Sequence, residues 1–128
     1  MHMKNAYTIA LSLLAGAALG AAAIQTLHAQ AKPPVYYIAE IEITDLDGWT
    51  KEYAPKAQAL IKQMGGRVLA AGQKVTSIDG APPKQRVAVL QWDSIEQIQA
   101  WQAAPQLKEL KAVREKFGKV RAFTVEGL

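Results

Sequence analysis

Outside its first 31 residues, the chemistry this sequence offers is carried by Glu40, Tyr53, Arg86 and Arg114. Each arginine presents a planar fork of N–H donors that matches a carboxylate. Arg86 falls on a strand, where it either holds an anionic ligand or pairs with Glu40 on the neighbouring strand. Arg114 falls on a helix, where it either points into a pocket or lies along the helix surface. Glu40 and Tyr53 are the candidates for an acid or base. Tyr53 also fits an apolar helical stripe, as a core residue with its hydroxyl at the edge. Trp49, Trp92 and Trp101 read as packing residues, and Arg67 as a residue that bonds nearby carbonyls.

Several other chemistries drop out. There is no cysteine, and both histidines, His2 and His28, fall within the first 31 residues. A chain without that segment has no thiolate, no imidazole base and none of the usual zinc, copper or haem ligands. No metal and no cofactor are expected. The net charge is only +4, with lysines dispersed among acidic residues. Nucleic-acid binding would need a clustered basic stripe with aromatic platforms, so no nucleic-acid partner is expected.

The elements that must position these side chains follow from periodicity. Residues 35–43 alternate, with Tyr37, Ala39, Ile41 and Ile43 on one face and Tyr36, Ile38, Glu40 and Glu42 on the other, as a strand does. Thr44 or Asp45 caps a helix whose stripe is Trp49, Tyr53, Ala57, Leu60, Ile61 and Met64, with Pro55 marking a kink or a separate first turn. Gly65-Gly66 ends it. A second strand starts at Arg67, is bulged at Gly72, and continues through Lys74 to Ile78 into a turn at Asp79-Gly80. Residues 85–92 form a third strand. Ser94 and Gln97 make a capping box. The helix it opens carries Ile95, Ile98 and Trp101, is interrupted at Pro105, and continues with Leu107, Leu110, Val113 and Phe117. Residues 119–126 form the last strand.

Residues 1–31 have the layout of a secretory signal peptide: Lys4, an apolar run from Ala6 to Ile24, then small residues before a cut after Ala29 or Ala31. The alternative is an uncleaved membrane anchor, since a spanning helix needs about 20 residues. Cleavage places the domain, residues 35–128, in the periplasm or outside the cell. A membrane partner is expected only if the segment is retained.

The order strand, helix, strand, strand, helix, strand is the ferredoxin-like α+β plan: a four-stranded antiparallel sheet, strands one and three central, helices on one face. The other face is bare and is expected to carry Tyr36, Ile38, Ala88, Leu90 and Trp92. That is too much apolar surface to leave in water. A second copy packed sheet to sheet would cover it, giving a homodimer that Leu90→Lys would dissociate.

Tyr53, Gly65-Gly66-Arg67, Leu69, Ala71-Gly72, Gly80, Pro83, Arg86, Ser94, Trp101, Pro105, Leu110 and Arg114 resemble the pattern of the domain of unknown function 1330 family, a branch of the dimeric α+β barrel superfamily. The resemblance spans residues 36–127. It implies the barrel fold and dimerisation, and no chemistry. The sequence departs from the family pattern where a tyrosine usually follows the tryptophan; here Gln102 does, so no role of that tyrosine carries over. Three functions remain: a dimer binding a small anionic or aromatic molecule through Arg86, Arg114 and Tyr53; an interaction module without a small-molecule site; and a cofactor-independent enzyme of the monooxygenase or isomerase type, using Glu40 or Tyr53.

Overall fold

The alternating stretch becomes strand β1, Val35–Ile43. It leads into a short helix α1, Leu46–Gly48, where the Asp45 carboxylate accepts the Gly48 N–H at 3.0 Å. These elements come from a computed structural model, which describes residues 32–128. The signal peptide or anchor read in residues 1–31 lies outside the described residues. Among the described residues, no helix is long and apolar enough to cross a membrane.

After α1 the chain makes a π-helical turn, Trp49–Tyr53, then helix α2, Ala54–Gln63. Pro55 follows the π-helical turn one residue on, after Ala54, and supplies no N–H to the carbonyls of that turn. Gly65 ends the helix at φ 95°, and at Gly66 the backbone runs so close to the core that a Cβ would sit 2.6 Å from Trp92 Cζ2. Strand β2 is Arg67–Gly72 and β3 is Arg86–Trp92. Ser94 Oγ accepts the Gln97 N–H at 3.1 Å and opens helix α3, Ile95–Ala103. The Gln97 side chain reaches one residue further back than a capping box requires, accepting from Asp93 N–H at 2.9 Å. Pro105 starts helix α4, Pro105–Arg114, and β4 is Gly118–Glu126.

The sheet order is β2-β3-β1-β4, with every neighbouring pair antiparallel. The α+β ferredoxin-like fold and its central strands are therefore as expected. The face assigned to β3 is not. Val35 lies opposite Trp92, Tyr37 opposite Leu90, Ala39 opposite Ala88 and Ile41 opposite Arg86. Directly paired residues share a face, so Arg86, Ala88, Leu90 and Trp92 point toward the helices. Leu90 and Trp92 are 4% and 1% exposed, packed with Ile61, Ile98, Trp101 and Leu107. Leu90→Lys would thus place a charge in the core of one protomer and cannot report on a dimer.

The bare face keeps the expected Tyr36 and Ile38 of β1, joined by Val87, Val89, Phe123 and Val125 in place of Ala88, Leu90 and Trp92. Within it the Glu40 carboxylate accepts from Arg121 Nη1 at 2.7 Å. Two local expectations also change. The irregularity in β2 lies between Val68 and Ala70, not at Gly72, and β2 stops at Gly72. Residues 73–85 form a long loop instead of a strand through Ile78; Ile78 is 90% exposed, so no packing holds that arm straight.

Candidate functional site

Between the inward face of the sheet and the helices lies a pocket of about 110 Å³. That is less than an apolar cavity of about 150 Å³ that accommodates a benzene ring, so a ring bound here extends out through the mouth of the pocket. Its floor is β1 and β3, through Tyr37, Ala39, Ala88 and Leu90. Its walls include Trp49 and Tyr53 of the π-helical turn, Ile61 of α2, Trp101 of α3 and Leu107 of α4. The aromatic side chains brace one another. Tyr37 meets Trp101 edge to face at 5.0 Å between centroids, and Trp49 meets Tyr53 at 4.6 Å. The π-helical turn brings Trp49 and Tyr53 together on the pocket wall; such turns recur at functional sites.

Three of the four candidate residues converge here. Arg86 enters from β3 at the level of Ile41, Arg114 from the last turn of α4, and Tyr53 from the π-helical turn. Arg114 therefore takes the pocket position, not the surface one. Glu40 does not join them. It points to the bare face, where it pairs with Arg121, so of the two readings of Arg86 the pair with Glu40 is not formed. The reason is register: Glu40 and Arg86 sit on opposite faces of the sheet because Arg86 is opposite Ile41, one residue along.

The electrostatics of the pocket are one-sided. Arg86, Lys111 and Arg114 line it, and no aspartate or glutamate does. The Nε of each arginine is buried with no hydrogen-bond partner. Neither arginine takes part in an ion pair among the described residues. Gln102 Nε2 and Trp101 Nε1 are buried donors without partners as well. Lys111 Nζ donates to Gln102 Oε1 at 2.6 Å. A lysine only donates, so this contact fixes the orientation of the amide and leaves its NH₂ as the group without a partner.

Tyr37, Gln102 and Lys111 are pocket residues that sequence reasoning did not single out. The available signal was spacing: Leu107, Lys111 and Arg114 lie four and three residues apart, on one helical face. Gln102 occupies the place of the family tyrosine and faces the pocket.

Burial pushes the Tyr37 phenol above its ordinary pKa of 10.0, assisted by Tyr53 and opposed by the charge of Arg114 and the amide of Gln102. A phenol whose pKa is raised on folding contributes stability below its unfolded value, and that contribution is lost as pH rises through the folded value. Wild-type stability should therefore fall as the pH is raised above about 10. Tyr37→Phe should flatten that alkaline limb in denaturant titrations while leaving the neutral region less affected.

The comparisons with known proteins bear on this fold. A protein of unknown function from Rhodopseudomonas palustris superposes with a TM-score of 0.63 at 13% identity, over 83% of this chain and 92% of that one. SnoaB, a cofactor-independent oxygenase from Streptomyces nogalater, gives 0.56 at 10%, over 75% and 94%. A conserved protein from Bacteroides thetaiotaomicron, described as a "possible oxidoreductase", gives 0.53 at 12%, over 76% and 100%. At such identities the likeness is one of fold. No curated protein matches the sequence. The family model described as "Domain of unknown function (DUF1330)" matches residues 34–128. With its ferredoxin-like α+β fold, the chain belongs to the DUF1330 family.

Proposed function

We propose that the protein binds a small ring-containing anion in the pocket between sheet and helices, with Arg86 and Arg114 as its charge anchors. The observation that supports this most strongly is the pair of arginine Nε–H groups, buried, without partners, in a pocket with no acidic side chain. A buried donor without an acceptor is costly, and neither half-buried guanidinium has a counter-charge in the pocket. A carboxylate ligand meets both needs, and the aromatic walls accommodate a flat apolar body. Thermal-shift titration with benzoate and with benzamide, its neutral counterpart, tests the reading. Benzoate should raise the melting temperature in a saturable way and benzamide should not; equal effects, or none, would contradict it.

A second copy, in this reading, covers the bare face. Phe123 and Val125 are 46% and 50% exposed in the single protomer, beside Ile38 and Val89 on the same face. Two-fold pairing of such faces buries them without creating a second exposed patch. Export is also proposed, from the presequence pattern alone. N-terminal sequencing of the protein recovered outside the cytoplasm should begin after Ala29 or Ala31; a chain starting at Met1 that requires detergent would support the anchor.

A further inference from the structure

The buried polar atoms that the pocket side chains leave without partners are of one kind. Arg86 Nε, Arg114 Nε, Trp101 Nε1 and Gln102 Nε2 all donate. For the arginines and the indole this follows from the group itself, since neither has an acceptor atom. For Gln102 it depends on orientation. An amide turned the other way would offer its carbonyl oxygen, and the same side chain would then receive an O–H or N–H from a ligand.

Lys111 sets that orientation. Its Nζ, reaching from α4, donates to Gln102 Oε1 on α3 at 2.6 Å. An ammonium cannot accept, so turning the amide over would set its NH₂ against another donor. The oxygen is held at Lys111, and the NH₂ is the end left unpaired. The Tyr37 and Tyr53 hydroxyls and the Gln58 amide also line the pocket, but each can donate or accept and so tolerates either kind of ligand group. Gln102 is the side chain at which the distinction is made.

The space is smaller than a cavity that takes a benzene ring, so it holds the head of a ligand, and the carboxylate and its neighbouring substituent must answer the donors together. A hydroxyl beside the carboxylate brings its own hydrogen to a group of donors. A carbonyl oxygen brings lone pairs and no hydrogen. We propose that the pocket selects 2-oxo carboxylates over the matching 2-hydroxy carboxylates, with Gln102 Nε2 donating to the oxo oxygen and Lys111 as the positioning residue that locks the amide. This rests on the reading of the pocket as an anion site.

The probes are benzoylformate and mandelate, which share a skeleton and differ in a ketone against an alcohol beside the carboxylate. Calorimetric titration of the purified full chain should show benzoylformate binding about tenfold tighter, or more, than either enantiomer of mandelate, the usual cost of a buried polar group left without a partner. Gln102→Leu should bring that ratio toward one. Lys111→Met keeps Gln102 but releases its amide; it should weaken both acids through the lost charge and also lower the ratio. Lys111→Arg should preserve the ratio, because a guanidinium likewise only donates. A merely structural role for either residue would move the affinities together and leave the ratio in place. Equal affinities in the wild type, tighter mandelate, or a preference that survives either Gln102→Leu or Lys111→Met would overturn the inference, while benzoate binding in the same titrations keeps the anion site. If benzoate fails to bind as well, the anion site falls and the inference with it.

Discussion

Introducing lysine at both Val89 and Phe123 should convert the proposed dimer into a folded monomer. Both side chains lie on the bare face, with Ile38 of β1 between them. Phe123 is 46% exposed in the protomer, so a lysine there can extend into solvent without disturbing the core. In the proposed dimer the same positions are sealed against a second apolar sheet, where an ammonium has no partner. The few hot-spot residues at the centre of an interface contribute about 2 kcal/mol or more; taking Val89 and Phe123 as such, each substitution should weaken association by roughly 30-fold, and the pair by about a thousandfold if their effects add. Light scattering across the micromolar range reads the change directly, and circular dichroism should show the fold retained. A wild-type protein already monomeric at those concentrations would contradict the dimer.

Loss of either pocket arginine should cost affinity without costing stability. Arg86→Gln or Arg114→Gln removes a charge-assisted bond to the carboxylate, about 1.5 to 3 kcal/mol, or about 10-fold to 150-fold in affinity for benzoate. Neither change breaks an ion pair among the described residues. The melting temperature of the ligand-free variants should therefore hold or rise, because a buried donor without an acceptor is removed. Glu40→Gln serves as the comparison. It weakens the Arg121 pair on the opposite face and should leave benzoate affinity unchanged. A fall in melting temperature with unchanged affinity would make the arginines structural.

Much of this architecture was legible because β1, α2, α3 and α4 each present one apolar stripe and one polar one. In β1 the alternation of Tyr37, Ala39 and Ile41 against Glu40 and Glu42 separates the faces unambiguously. Strand β3 is apolar on both sides, Val87 and Val89 against Ala88, Leu90 and Trp92. Its alternation shows two faces and not which one is inward; the pairing with β1 decides that. The expectation of Ala88, Leu90 and Trp92 on the bare face followed from this single ambiguity, and with it the alternative in which Arg86 bonds Glu40. Residues 73–85 misled for a different reason. Val75 and Ile78 have strand-forming side chains, but no neighbouring strand or core contact rewards extension there. Arg114 was ambiguous because a long cationic side chain in the last turn of a helix is stabilised there with or without a pocket beneath it.

The central claim is that the two arginine Nε–H groups are the donors awaiting an anion, and their nitrogen resonances report on it directly. In a ¹H–¹⁵N spectrum of the purified protein, assigned with Arg86→Gln and Arg114→Gln, benzoate should shift at least one of the two Nε–H signals downfield and slow its exchange with solvent. Benzamide at the same concentration should leave both in place. Benzoate that binds while neither signal moves, or equal shifts with benzamide, would contradict the account.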